Sequence, residues 1–211
     1  MKNILLLVDP INDFADKKGS LYVPDGEKII PILNKLMEKK WDEIILIQDW
    51  HPENHKSFAS NNNAELFSIK EVNGIQQVMW PNHCVQNTWG SEPHSDLNKK
   101  WNHVIQKGMN PELDSYSAFY ENDGKTKTKI FELFSEIGVN EEEDNLYITG
   151  LATDYCVKYT ALDAKKHYKN VILIEDAIKG IDSENVKKSL DEMFIVGVYE
   201  IDSDMLINEL L

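Results

Sequence analysis

Apolar positions along the chain fall into two alternating rhythms. Residues 4–8, 44–47, 101–105, 146–149, 171–174 and 195–200 are short apolar runs, several of them continuous, and read as buried strands. Between them lie segments with helical spacing. In 26–40, Ile29, Ile30, Leu33, Leu36 and Met37 share one face, and Pro31 suits a first-turn position. In 127–137 the face is Ile130, Phe131, Leu133, Phe134 and Ile137. Two more helices are expected, one running from the turn after residue 150 to about 168 and one from a Ser183 cap to about 193. Strands alternating with helices predict a three-layer α/β/α domain, with a mostly parallel six-stranded sheet and helices on both faces. The single domain spans 1–211, without repeat or linker.

Two regions break the rhythm. Residues 12–26 are turn-rich, and 54–93 form a long irregular stretch rich in Asn, Trp, His and Pro. Unstructured segments of that length inside a compact domain are usually functional. In parallel α/β folds, ligands bind beyond the carboxyl ends of the strands. Asp9 follows the first strand, Asp49 and His51 the second, Lys107 the third and Cys156 the fourth. Four distant segments thus bring reactive side chains to one rim.

The stretch Tyr147-Ile148-Thr149-Gly150-Leu151-Ala152-Thr153-Asp154-Tyr155-Cys156-Val157 reads as strand, tight turn and helix start. Thr153 and Asp154 are natural N-cap residues. A thiol in the first helical turn is biased toward thiolate by the free N–H groups and the helix dipole. Asp9 could take its proton, and Lys107 could hold both charges. The backbone N–H groups of Ala152 and Cys156 are candidates for an oxyanion hole. The plain alternatives are a packing cysteine, a turn-initiating Asp before Pro10 and a solvated lysine before Gly108. Asp49 and His51, two apart on extended chain, point to one side and can grip an ion. His55 offers a third contact, and His83 stands in Trp80-Pro81-Asn82-His83; the alternative is that these residues pack the loop. Cys84, as a ligand's chain neighbour, is expected to point away and pack. Phe14, Trp80, Tyr116 and Phe119 could form an apolar slot for a flat heteroaromatic ring, or core beneath the loops. His94, His103 and His167 have no partners in the sequence.

A net charge of −14 argues against nucleic acid and anionic membrane as partners. No apolar run reaches transmembrane length, and the N-terminus lacks signal-peptide features. Two cysteines without such a signal suggest free thiols in a reducing compartment. A cytoplasmic protein is expected, with the nucleus as the alternative. The Trp-rich loops are a candidate surface for a homo-oligomer.

Five ordered motifs, Asp9-Pro10-Ile11-Asn12-Asp13-Phe14, Asp49-Trp50-His51-Pro52, Trp80-Pro81-Asn82-His83-Cys84-Val85, Lys107-Gly108 and the 150–157 stretch, resemble the isochorismatase-like cysteine hydrolases. Within them the chain is similar to the nicotinamidases, also called pyrazinamidases. The resemblance implies a Rossmann-like topology and a triad of Asp9, Lys107 and Cys156. It implies one divalent metal held by Asp49, His51 and His83: zinc, with Fe2+ or Mn2+ as alternatives. His55 would bind it directly or through water. It also implies a cis peptide between Leu151 and Ala152, and a pyridine ring sandwiched by Phe14 and Trp80. The implied reaction is hydrolysis of nicotinamide to nicotinate and ammonia through a cysteine thioester, serving NAD salvage, with pyrazinamide a further substrate. The rival readings are a hydrolase of another small amide or ureido compound, and a non-catalytic ligand-binding module. One departure stands out: Ile11 replaces a Gln usual in the family.

Overall fold

The computed structural model describes residues 1–209. A six-stranded sheet forms its middle layer, built from β1 (Asn3–Val8), β2 (Glu43–Asp49), β5 (His103–Lys107), β6 (Asn145–Leu151), β7 (Asn170–Lys179) and β8 (Tyr199–Ile201). Every pairing is parallel, in the order β5-β2-β1-β6-β7-β8. The expected three layers are present. β1 shows why both faces are covered: Ile4, Leu6 and Val8 enter one core, while Leu5 and Leu7 enter the other. The first core is closed by α3 (Ile130–Glu136), α4 (Lys158–Lys165) and α5 (Ser183–Ile195), through Phe134, Ala161 and Met193. The second is closed by α2 (Ile30–Met37) and α6 (Ser203–Glu209), through Leu33, Leu36 and Leu206. A short helix α1 (Asn12–Ala15) adds Phe14 to that side.

The chain winds outward from β1 through β2 to β5, then returns to place β6 on the other side of β1. Between β1 and β6 the winding therefore reverses, and loops leaving their carboxyl ends part to open a crevice. Asp9 leaves β1 there and Cys156 follows β6.

Several boundaries differ from those the pattern predicts. The third sheet strand begins at His103 rather than 101 and runs through Lys107, because its edge position exposes Val104 and weakens the apolar signal. The final strand is confined to Tyr199–Ile201, since 195–198 complete α5 and its turn. The long irregular region carries an unexpected antiparallel hairpin, β3 (Ile69–Val72) with β4 (Ile75–Val78), turning at Asn73-Gly74. Asp182, not Ser183, caps α5; its side chain accepts from Asn185 N at 2.9 Å. Gly150, expected in the turn, belongs to β6 opposite Val8. Its φ is +114°, and an added Cβ would strike the Val8 carbonyl oxygen.

Gly150→Ala is therefore expected to combine backbone strain with a clash inside the sheet. A loss of about 3 kcal/mol or more should appear as a lowered urea midpoint.

Candidate active site

Asp49 and Lys107 are register partners at the ends of β2 and β5, so their side chains project to the same face of the sheet. The Lys107 Nζ lies 2.5 Å from Asp49 Oδ1, 3.1 Å from Asp9 Oδ2, 3.0 Å from the Ser115 carbonyl and 3.4 Å from Cys156 Sγ. Asp9, the first residue past β1, has φ +48° and accepts the Asp49 backbone N–H at 2.8 Å. A left-handed aspartate is tolerated when its surroundings fix it, and such residues gather at functional sites. Asp9, Asp49 and Cys156 each offer an atom within 4.8 Å of the others. Asp9, Lys107 and Cys156, the three residues expected to act together, are thus brought together, with Asp49 beside them.

Burial dominates the electrostatics. It pushes the Asp9 carboxyl up to about 6, against the pull of Lys107 and with the push of Asp49. Burial also raises Asp49, but Lys107 and His51 overcome it and hold that carboxyl well below the usual range. Burial works against the Lys107 charge, yet Asp49 and Asp9 raise its pKa well above normal. For Cys156 burial wins over Lys107, and the thiol is pushed well up. The expected bias toward thiolate is therefore overturned: the sulfur rests protonated. Its turn is a π-helical one, Thr153–Val157, following Ala152. Neither Thr153 nor Asp154 caps it. The Asp154 carboxylate instead accepts Ile181 N at 2.9 Å and Asp182 N at 3.1 Å, tying the turn to the loop after β7. The cis peptide implied between Leu151 and Ala152 is present.

Beside this cluster stand the expected metal residues. Asp49 Oδ2 is 3.4 Å from His51 Nε2 and 3.9 Å from His83 Nε2. His51 Nε2 and His55 Nε2 are buried without a hydrogen-bond partner, an arrangement native structures rarely leave unexplained. Carboxylate and imidazole donors of this kind fit a divalent ion. Burial, with repulsion by His51, pulls His55 and His83 down to about 4, so both rings are neutral at pH 7. Burial opposes charge on His51 too, but Asp49 lifts it to about 9, so proton and metal compete for that ring. Cys84 does not point away as expected. Its φ of +49° breaks the alternation of extended chain and brings its sulfur within 4.8 Å of donor atoms of Asp49 and His83. The Asp13 carboxylate holds this bend by accepting Cys84 N at 2.7 Å.

A pocket opens onto Cys156, Asp49 and His83, with Phe14, Trp80 and Tyr116 in its wall. Trp80 Nε1 donates to the Tyr116 hydroxyl at 3.1 Å, locking two of the expected aromatics together. Phe119 is not in this wall. It is fully buried against Phe131, Phe134 and Tyr168, because the turn at Ser117–Tyr120 directs it under α3. Sequence reasoning missed Leu21, Val23, Tyr155, Ile181 and Asp114, which also line the pocket. Tyr155 stood inside the Cys156 motif and was the one with a signal; the others come from loops without pattern. Ile11, the departure from the family pattern, is fully buried and packs in the second core.

Removing Lys107 alone would leave two carboxylates buried without their cation. In metal-free protein, Lys107→Met should cost about 3–5 kcal/mol of unfolding free energy, read by urea titration.

The family model for the isochorismatase domain matches residues 3–205. The chain is 41% identical to a nicotinamidase from Escherichia coli (strain K12) over 182 residues, 84% of this chain and 83% of that one. Among solved structures it is similar to an Acinetobacter baumanii nicotinamidase/pyrazinamidase, with a TM-score of 0.90 and 40% identity, covering 97% and 98% of the two chains. It is also similar to a Pyrococcus horikoshii pyrazinamidase in complex with zinc, with a TM-score of 0.78 and 36% identity, covering 96% and 99%.

Proposed function

The chain belongs to the isochorismatase domain family, and from that premise we propose that it is a nicotinamidase, hydrolysing nicotinamide to nicotinate and ammonia in NAD salvage and accepting pyrazinamide as well. The observation that carries the reading is the buried meeting of Lys107 with Asp9, Asp49 and Cys156 at the floor of an aromatic pocket. A hydrolase of amides needs a nucleophile, a proton carrier and charge compensation in one dry place, and this group supplies them.

In the proposed reaction the ring lies between Phe14 and Trp80, with its carboxamide over Cys156. Asp9 takes the thiol proton as sulfur attacks the carbonyl carbon. The backbone N–H groups of Ala152 and Cys156 receive the developing oxyanion. Collapse of the adduct breaks the C–N bond, and Asp9 returns its proton to the departing ammonia. Asp9 then takes a proton from water, which attacks the thioester and frees nicotinate and the thiol. Lys107 keeps each ionised partner compensated. Asp49, His51 and His83 would hold one divalent ion, zinc first; when bound it supplies a Lewis-acid anchor for the pyridine nitrogen.

Two outcomes are expected. Cys156→Ala should reduce ammonia release from nicotinamide at least about a thousandfold while the protein stays folded. Unchanged release by that variant would refute the mechanism, and no release by the wild type would favour a different amide or a ligand-binding role. Stripping the ion with a strong chelator should lower both activity and the thermal midpoint, and added zinc should restore both; at a hundredfold excess over Kd the ion contributes about 2.7 kcal/mol.

A further inference from the structure

The turn that carries Cys156 is tied to a second segment of the pocket. Its π-helical winding brings Tyr155 N to the Ala152 carbonyl at 3.0 Å and Val157 N to the same oxygen at 3.1 Å. Single π-turns are rare and gather at functional sites. Asp154 sits inside this one, two positions before the sulfur, and is buried. One of its oxygens accepts Ile181 N at 2.9 Å and the other accepts Asp182 N at 3.1 Å. Two successive backbone N–H groups on one carboxylate make a paired, charge-assisted grip.

The gripped segment is short. Gly180, Ile181 and Asp182 join the end of β7 to α5, and the Asp182 side chain is already engaged in capping that helix. Gly180 permits the close approach: a Cβ there would lie 2.8 Å from Asp154 Oδ1 and would strike Val186. Ile181, between them, lines the pocket with Leu21, Val23 and Cys156, whereas Asp154 is not in the wall. One carboxylate in the nucleophile's turn thus fixes the backbone of a residue that faces substrate.

We propose that Asp154 is a positioning residue for substrate: it clasps the loop between β7 and α5 to the Cys156 turn and so sets how far Ile181 stands from the sulfur. It acts through Ile181 rather than on the reacting atoms. The inference rests on the nicotinamidase reading and adds to it a residue that governs how the ring is seated. An apolar ring has its carboxamide held over the sulfur only while the wall behind it is fixed, and a misplacement of about 1 Å can cost about a hundredfold.

Asp154→Asn is the informative change. Its amide oxygen still accepts one N–H, but its NH2 group meets the other as donor against donor. In the ammonia assay with nicotinamide it should raise KM about tenfold while kcat falls less than about threefold. Ile181→Ala should do the same, and the double variant should be little worse than either, because both disturb one wall. Additive losses, a loss confined to kcat, or an unchanged KM with a lowered urea midpoint (the mark of a merely structural tie) would each overturn the proposal. Asp154→Ser, whose hydroxyl accepts one N–H, gives the same comparison should the amide variant not fold. Calorimetry separates this inference from the reading beneath it. Nicotinate binding to Cys156→Ala protein should weaken about tenfold when Asp154→Asn is added. A wild type that releases no ammonia, with nicotinate binding that weakens in this way, sinks the amidase and leaves the clasp standing. Ammonia release with unaltered nicotinate affinity in the variant does the reverse, and a chain that neither binds nor hydrolyses sinks both.

Discussion

A single ammonium group buried among two carboxylates and a thiol organises this protein. Lys107 reaches its place from an edge strand, with no solvent around its charge. Isolated, such a charge would be expelled or neutralised. It persists because Asp49 faces it in register across β2 and β5, and Asp9 approaches from the end of β1. Ion pairs of this kind add little net stability, since desolvation consumes most of the attraction. What they give is placement. Once Lys107 is fixed, the carboxyl ends of three strands must lie within a few ångströms of one another. Cys156 completes the group from the other side of the crevice.

Asp49 is the hinge between two sites that the sequence presents as separate. Its Oδ1 holds Lys107, and its Oδ2 faces His51 and His83. In the proposed reaction Asp49 would thus serve both sites, compensating Lys107 through one oxygen and offering the other to the divalent ion that it, His51 and His83 would hold.

Much of this was legible in the chain, because the rules involved are local. Apolar runs marked the four inner sheet strands and overlapped the two edge ones, and parallel topology alone gathered Asp9, Asp49, Lys107 and Cys156 on one edge. What escaped depended on contacts distant in sequence. Nothing local turns Phe119 under α3 or bends Cys84 back toward Asp49; the Asp13 carboxylate, 71 positions earlier, holds that bend. Asp154 reads as a cap by its type and place, yet the loop at Ile181 and Asp182 offers two N–H groups that outcompete the helix end. The hairpin of β3 and β4 is polar and largely exposed, so no hydrophobic period announced it.

The state of the sulfur shows how depth can reverse a local rule. A cysteine opening a helix is expected to ionise easily, because nearby N–H groups favour the anion. Here the same residue lies under an aromatic wall, and loss of water outweighs the pull of Lys107. The resting pair is thus thiol and aspartate, with Asp9 shifted only to about 6 and so mostly ionised at neutral pH. Nucleophile and base therefore carry one negative charge between them, and Lys107 lies beside both of its positions, 3.1 Å from Asp9 Oδ2 and 3.4 Å from Cys156 Sγ. Moving the proton from sulfur to carboxylate shifts that charge without creating a second one. A dry pocket can support such a transfer, because the ammonium that compensates the starting state is already beside the product state. Burial that would silence a lone cysteine is thereby turned to use, provided proton transfer accompanies attack rather than preceding it.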